Sequence, residues 1–250
     1  MARTITDEDL SDAAINRTGM AGATFRDVDL SRARMRGVYL WHADIDGDIE
    51  GLTINGVEVA PLIDAELDRR HPERAILRAT EPEELQAGWA ALEAMWEPTM
   101  ERAAALPPGM VDASVDGEWS FAQTLRHLLM ATDSWFGLGI CGDTNALHPL
   151  GMPFWEWHDE ALAAGLAVDT TPPYADVLAA RAEHVARIRD YLATVTPEGL
   201  TVPNDGPPWC GAPVTALDCI RIIAREEWLH HRFAVRDLDI LDARAQPSSG

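Results

Sequence analysis

Residues 217–241, LDCIRIIAREEWLHHRFAVRDLDIL, contain the pattern that decides the fold. Mostly apolar residues recur here at alternating steps of three and four, which is the spacing of the inward face of a bundle helix. We call this row of residues the seam. Glu227 and His231 occupy two consecutive positions of this otherwise apolar seam, whereas Glu226 and His230 fall on a neighbouring, more peripheral stripe. The seam residues are Leu217, Ile220, Ala224, Glu227, His231, Ala234 and Leu238.

A carboxylate on the buried face of a bundle helix needs a partner, because an unpaired one costs on the order of several kcal/mol. Residues four apart on a helix project side by side, so a glutamate and a histidine at this spacing can bind one metal ion. A buried Glu–His ion pair, or bonds to arginines of another helix, would satisfy them equally. The seam favours Glu227 with His231 as the metal pair, and Glu226 with His230 is the alternative register.

A third ligand is offered by residues 120–136, SFAQTLRHLLMATDSWF. Ser120 and Gln123 have the spacing of a capping box, which predicts a helix start. His127 follows in an apolar stretch, where a single histidine usually hydrogen-bonds a backbone carbonyl. Combined with the Glu–His pair, it predicts a His/Glu/His site. Three protein ligands with an open position are typical of catalytic zinc, and nickel or iron(II) would suit the same ligands.

Hydrophobic periodicity predicts a mainly α-helical fold built on a four-helix bundle over residues 81–245. Pro98 is expected to bend or interrupt the first bundle helix. Residues 61–80 form a connector with a short helix, and two long loops contain several Pro, Gly and Trp residues. The bundle helices are expected at about 81–106, 120–138, 173–195 and 213–241, and the loops at 139–172 and 196–212.

Residues 1–60 have a different pattern. Read in fives from Ala23, the sequence has a large apolar residue at the centre of each repeat, and a period of five fits neither a helix nor a strand. This segment resembles pentapeptide-repeat proteins, in which the central residue points into a β-helix. An Asn55-Gly56 turn then predicts a hairpin. We expect a small β-rich cap before the bundle. The repeat centres are Phe25, Leu30, Met35, Leu40 and Ile45.

The composition narrows the possible partners and the compartment. The net charge of the 250 residues is −21 and all 20 basic residues are arginines, so nucleic acids and anionic membranes are not expected as partners. No apolar run is long enough to span a membrane, and the N-terminal residues lack the pattern of a secretory signal. Three cysteines without paired spacing predict no disulfide framework. These features predict a cytoplasmic protein.

Two stretches resemble the DinB-like four-helix-bundle superfamily: EWSFAQTLRHLLMATDSW at 118–135 and EEWLHHRFAVRDLD at 226–239. The resemblance covers roughly residues 80–241. It implies one histidine from the second helix and two ligands four residues apart on the fourth. A glutamate as the first of that pair is similar to the mycothiol-dependent maleylpyruvate isomerase branch. Matched onto this chain, the resemblance implies His127, Glu227 and His231 as metal ligands.

The resemblance also implies a chemistry. The superfamily includes enzymes that use low-molecular-weight thiols, so the activity that the resemblance implies is S-transfer or isomerisation of a small electrophile. The expected cofactors are a divalent metal, most simply zinc, and a mycothiol-like cosubstrate. The metal would lower the pKa of the thiol. Trp228, His230 and Arg232 are expected near the substrate, other tryptophans (Trp119, Trp155, Trp157 and Trp209) could line the pocket, and bundles of this class often form homodimers.

Two other functions fit the same residues. A metal-dependent hydrolase would use metal-bound water and a nearby general base, for which Glu226 or Asp133 are candidates. A non-catalytic metal-binding stress-response protein would close the site with a fourth protein ligand. The sequence shows no obvious fourth ligand, which favours catalysis.

Overall fold

The computed structural model describes residues 4–6, 8–26, 28–154 and 157–245. The chain divides into two compact units, with the boundary after Asp48. The repeat segment belongs to the first unit, and all the helices and strands described below belong to the second.

The first unit is a series of regular turns. The backbone N–H groups of Ala13, Ala23, Ala33 and Ala43 each donate to the carbonyl oxygen three residues before them, so the turn recurs every ten residues, or two repeats. The repeat centres named above are 46–61 % exposed. They therefore do not form the buried interior that a β-helix of several coils would have.

The second unit is mainly helical. It begins with a hairpin whose turn residues, Asn55 and Gly56, both have positive φ, as the sequence predicts. Its strands are β1 (Thr53–Ile54), β2 (Val57–Glu58), β3 (Pro203–Asn204) and β4 (Val214–Thr215). Its α-helices are α1 (Ala60–Arg70), α2 (Pro82–Ala105), α3 (Phe121–Thr132), α4 (His158–Ala163), α5 (Tyr174–Leu192), α6 (Pro197–Leu200) and α7 (Ala216–Ala245). None of the described helices combines the length and apolar character that crossing a membrane requires.

Helices α2, α3, α5 and α7 are the four predicted bundle helices. Helices α5 and α7 each pack against both α2 and α3, which closes the bundle. The predicted capping box starts α3, since the Ser120 hydroxyl accepts from the Gln123 backbone and the Gln123 side chain accepts from the Ser120 backbone. Helix α3 continues as a π-helical segment, Asp133–Ile140. Helix α2 was expected to be bent or broken at Pro98 but continues through it, with Trp96 and Thr99 buried on either side.

Arg126 of α3 is buried and binds the segment that connects α3 to α5. Its guanidinium donates to the carbonyl oxygens of Leu150 (2.9 Å), Ala167 (2.6 Å) and Thr170 (2.8 Å). The Met152 N–H donates back to the carbonyl of Arg126 (3.1 Å). A loop of this length therefore has a fixed position beside α3.

Candidate metal centre

His127 lies on α3 with its ring buried and its two nitrogens in different environments. Nδ1 donates to the carbonyl oxygen of Met152 (3.0 Å), in the loop that Arg126 fastens. That bond places the proton on Nδ1 and leaves a lone pair on Nε2. Nε2 is buried and has no hydrogen-bond partner. An unpaired buried acceptor of this kind is costly in a protein without a ligand.

Glu226 and His230 approach His127 from α7, one helical turn apart. A carboxylate oxygen of Glu226, Oε2, lies 3.4 Å from His127 Nε2 and 3.4 Å from His230 Nδ1. His230 Nδ1 donates to the backbone carbonyl of Glu226 (2.9 Å), so Nε2 is the nitrogen left free. One possible ligand atom from each of the three residues lies within 4.8 Å of the others. We call His127, Glu226 and His230 the His/Glu/His cluster.

The ionisation of the cluster suits a cation. Burial and the neighbouring His127 lower the pKa of His230 to about 4, so its ring is neutral at neutral pH. Burial favours the neutral form of Glu226, but the His127 and His230 rings attract its carboxylate whenever they carry a second proton, and this attraction holds the pKa of the carboxyl below its ordinary value. The cluster therefore offers a carboxylate and imidazole lone pairs.

The donor set fits a divalent metal ion. Glu226 Oε2, like His127 Nε2, is buried without a hydrogen-bond partner. Atoms bound at about 2.0–2.1 Å to a tetrahedral zinc ion are roughly 3.3–3.4 Å apart, close to the 3.4 Å between these two atoms. Two imidazoles and one carboxylate are suitable ligands for zinc, nickel or iron(II). Within the described ranges, no fourth His, Cys, Asp or Glu joins the group.

Aromatic rings surround the cluster. The Trp119 ring lies 4.7 Å from the His127 ring and stacks on His230 at 6.1 Å. Phe154 lies 4.5 Å from His127, and Phe233 packs edge-on against His230 at 5.7 Å. Phe154 is 53 % exposed, so this ring lies at the protein surface. The residues beside the cluster thus form an apolar wall with one side facing solvent.

The structure pairs Glu227 with Arg181 of α5 instead of bringing it to His127. Glu227 is 1 % exposed, and burial raises the pKa of its carboxyl, opposed by the Arg181 charge. The buried glutamate thus has the arginine partner that the sequence left open. The seam correctly predicts that Glu227 is buried, but burial here comes with an ion pair.

His231 also points elsewhere. Its Nε2 lies 2.8 Å from the Thr99 hydroxyl of α2, and its ring packs edge-on against Trp96. Consecutive helical residues are about 100° apart, so Glu226 and Glu227 cannot face the same group. The predicted set of His127, Glu227 and His231 does not converge, whereas the alternative register does.

Of the residues expected near the substrate, only His230 belongs to the cluster. Trp228 is 1 % exposed in the bundle core, where the Arg74 guanidinium lies 4.3 Å from its ring centroid. Arg232 stacks over the same ring at 5.0 Å. Trp157 and Trp209 pack against each other at 3.9 Å, and Trp155 lies outside the described residues. Of the tryptophans that the structure describes, Trp119 lies beside the cluster.

Asp133, a candidate general base, is engaged in another buried network. One carboxylate oxygen lies 2.8 Å from His184 Nε2, and the other accepts from the backbone N–H of His148 (2.8 Å). Arg187 lies 3.5 Å away. Both carboxylate oxygens of Asp133 thus have partners, and the residue is 1 % exposed. Asp133 therefore links the end of α3 to α5 and to the segment between these two helices.

Sequence reasoning did not find Arg126 or the Met152 carbonyl, which hold His127 in place. An arginine in the middle of an apolar helical run, directly before the candidate ligand, is the signal that could have found the first. The Met152 contact comes from backbone geometry and has no sequence signature.

Comparison with known families supports this reading of the fold. A sequence model described as the DinB superfamily matches residues 59–234, well over half of the chain, including all three residues of the His/Glu/His cluster. No curated protein and no solved structure gives a significant match. The chain belongs to the DinB superfamily, whose members often bind a metal.

Proposed function

We propose that this DinB superfamily chain is a metal-dependent enzyme that activates a low-molecular-weight thiol. His127, Glu226 and His230 would hold the divalent ion, zinc being the simplest choice. The observation that carries the proposal is the pair of buried, unpartnered atoms, His127 Nε2 and Glu226 Oε2, placed 3.4 Å apart. A buried acceptor and a buried carboxylate at this distance are stabilised by a shared cation.

A metal bound there would lower the pKa of a coordinated thiol and present it as a thiolate. The ordinary pKa of a thiol, near 8.5, leaves only a few per cent as thiolate at neutral pH. The proposed reaction is S-transfer to, or isomerisation of, a small electrophile, with a mycothiol-like molecule as the cosubstrate. Because low-molecular-weight thiols are kept reduced inside the cell, we place the proposed activity in the cytoplasm.

The chain's own residues would position the reactants. The Met152 carbonyl fixes the His127 tautomer, as outer hydrogen bonds commonly do for metal-binding histidines. Trp119 and Phe154 would provide an apolar wall that can contact the substrate. Phe233 packs edge-on against the His230 ring.

Two observations favour thiol chemistry over the alternatives. Neither of the two acids suggested as a hydrolytic base is free to act as one. Glu226 belongs to the cluster that would bind the metal, and Asp133 is paired with His184. A structural metal site would be closed by a fourth protein ligand, and among the described residues none joins the three. A metal held by these three residues would have a position left for an incoming sulfur.

The metal proposal is tested by metal content after purification without chelator. We expect about one divalent ion per chain in the wild type, and its loss in Glu226→Ala and His230→Ala. Glu227→Gln and His231→Asn are matched controls on the same helix and should keep the metal. If the two controls lost the metal and Glu226→Ala kept it, the ligands would be the seam residues Glu227 and His231 instead. A wild type that stays free of metal after zinc, nickel or iron(II) is supplied would refute the proposal.

The thiol proposal is tested on protein loaded with cobalt(II), whose spectrum responds to its ligands. Addition of mycothiol, or of glutathione and bacillithiol as comparison thiols, should produce a sulfur-to-cobalt charge-transfer band. The matched alcohol, with oxygen in place of sulfur, should not. A cobalt spectrum unchanged by any of these thiols would leave the metal site standing but exclude thiol activation at it.

A further inference from the structure

The first unit, which ends at Asp48, has no buried side chain among its described residues. The period of five extends back to Ile5, which gives nine large apolar centres, all between 43 and 62 % exposed. Ordering a chain costs about 1–2 kcal/mol per residue in backbone entropy, and burial of apolar surface is the main term that offsets this cost. The unit therefore needs apolar surface from another source. The nine centres are Ile5, Leu10, Ile15, Met20, Phe25, Leu30, Met35, Leu40 and Ile45.

The backbone of this unit is regular, but most of its polar groups are unpaired. The four turns that recur every ten residues share one conformation, because the second turn residue in each has a φ of 60–76°. Among the residues described before Ile49, no other backbone N–H donates to a backbone carbonyl. The segments between the turns thus leave N–H and C=O groups available to a neighbouring chain, as the edge of a sheet does.

A second copy of the same unit fits both features. Its apolar centres recur at the same interval of five residues, and its turns at the same interval of ten. Two such chains can therefore stay in register over the whole length of the unit. A partner without this period would lose the register after one or two repeats.

The exposed apolar surface is large enough for a stable dimer. Thirteen large apolar residues of this unit are at least 43 % exposed. Even at about 60 Å² each, they offer on the order of 800 Å², which is the area that each partner buries in a typical stable interface. They include Tyr39 and Trp41, which are both 81 % exposed and have ring centroids 5.1 Å apart. Aromatic residues of these types are enriched at interfaces.

The distribution of charge also favours this unit as the place of contact. Residues 1–48 contain nine acidic and six basic side chains, a net charge of −3, so residues 49–250 carry −18 of the total of −21. Like charges repel, so two copies of this acidic chain approach each other at the lowest electrostatic cost through the first unit.

We propose that the chain forms a dimer in which the first units of two copies pair with each other. Backbone N–H and C=O groups between the turns hydrogen-bond across the interface. The nine centres of each copy become buried between the two chains. The second copy thus supplies both the backbone partners and the apolar surface that a single unit lacks.

Analytical ultracentrifugation of the full chain measures the association, and hydrogen exchange followed by mass spectrometry locates it. We expect a dimer that dissociates on dilution. The amides between the turns of the first unit should exchange slowly in the dimer and rapidly after dilution, whereas exchange in the helices of the second unit should not depend on concentration. A chain that stays monomeric up to about 100 μM, or a dimer in which the first unit exchanges rapidly, would overturn the proposal.

Two matched variants assign the contact to the first unit. Leu30→Asn changes one centre, and Leu62→Asn makes the same change at an exposed leucine of α1, outside the first unit. Because each substitution alters both copies, Leu30→Asn should weaken dimerisation by about 30-fold or more. Leu62→Asn should leave the dimer unchanged. A dimer that resists Leu30→Asn, or is weakened equally by Leu62→Asn, contradicts pairing through the repeat.

Discussion

At the scale of single residues, Arg126 links the stability of the fold to the position of a metal ligand. It binds three backbone carbonyls of the loop that also supplies the Met152 carbonyl to His127. Charge-assisted hydrogen bonds to several carbonyls are stronger than neutral ones. Burial lowers the pKa of Arg126, yet its ordinary value is so high that the guanidinium stays charged.

We therefore expect Arg126→Met to destabilise the protein and to weaken metal binding. Three backbone carbonyls lose a charged donor, which should lower the free energy of unfolding by about 3 kcal/mol. The freed loop should also release the Met152 carbonyl from His127, with a loss in zinc affinity of roughly 10–100-fold. Urea unfolding and competition with a zinc chelator measure the two effects.

Arg189→Met is the matched control for Arg126→Met. Arg189 pairs with Glu93 at the surface, and its side chain is 57 % exposed, so removing it should change stability by less than about 1 kcal/mol and leave zinc affinity unchanged. If Arg126→Met lowered stability but left zinc affinity intact, the loop would not be positioning His127.

The cluster also shows which part of a site can be predicted from a sequence. His127 and the two Glu–His registers on α7 are visible as polar residues at helical spacing. The choice between the registers depends on which face of α7 turns towards α3, and an ion pair can satisfy a buried glutamate as well as a metal can. Arg181 is 46 positions from Glu227, and spacing alone does not show that they meet.

At the scale of elements, Gly88 determines how closely α2 approaches the 3₁₀ segment Pro72–Leu77. A Cβ at Gly88 would lie 2.5 Å from Ile76 Cβ and 3.0 Å from Ile76 Cα, too close for either atom to remain in place. Ile76 is 1 % exposed in the bundle core. The missing side chain therefore permits contact between the connector and the bundle, which the helical pattern of α2 does not reveal.

This contact reverses the usual effect of replacing a helical glycine by alanine. Helix propensity alone would make Gly88→Ala stabilising by about 1 kcal/mol. Overpacking against Ile76 should cost more, and we expect a net loss of about 1–2 kcal/mol in the free energy of unfolding, measured by urea titration. Ile76→Ala should make room, so in the double variant Gly88→Ala should become neutral or stabilising. A stabilising effect of Gly88→Ala alone would show that α2 and the connector can move apart.

Features with a local sequence signal were the most predictable parts of the fold. The Ser120–Gln123 capping box and the Asn55-Gly56 turn are local signals, and each forms as expected. The π-helical segment Asp133–Ile140 was not predicted, since its first residue is held by His184 and by the His148 backbone, which are distant in sequence. The continuity of α2 through Pro98 likewise depends on core packing on both sides of the proline.

At the scale of the whole molecule, the apolar interior and the repeat segment are separate features. Among the described residues, the buried apolar side chains run from Ile76 to Leu241, and none lies in the repeat segment. The superfamily match begins at residue 59, after the repeat. The period of five was visible in the sequence, but whether the repeat centres become buried depends on how many coils the repeat forms. Here the repeat centres remain about half exposed.

These facts predict that residues 1–48 can be removed without unfolding the bundle. We expect the truncated protein, beginning at Ile49, to keep its melting temperature within about 2 °C and its metal content unchanged, because the deletion removes none of the buried apolar side chains described. Thermal unfolding followed by circular dichroism, size-exclusion chromatography and metal analysis measure this. A second truncation beginning at Val59 also removes the hairpin and serves as comparison. If the first truncation aggregates or melts several degrees lower, the repeat segment is a cap that covers apolar surface of the bundle, as the sequence first suggested.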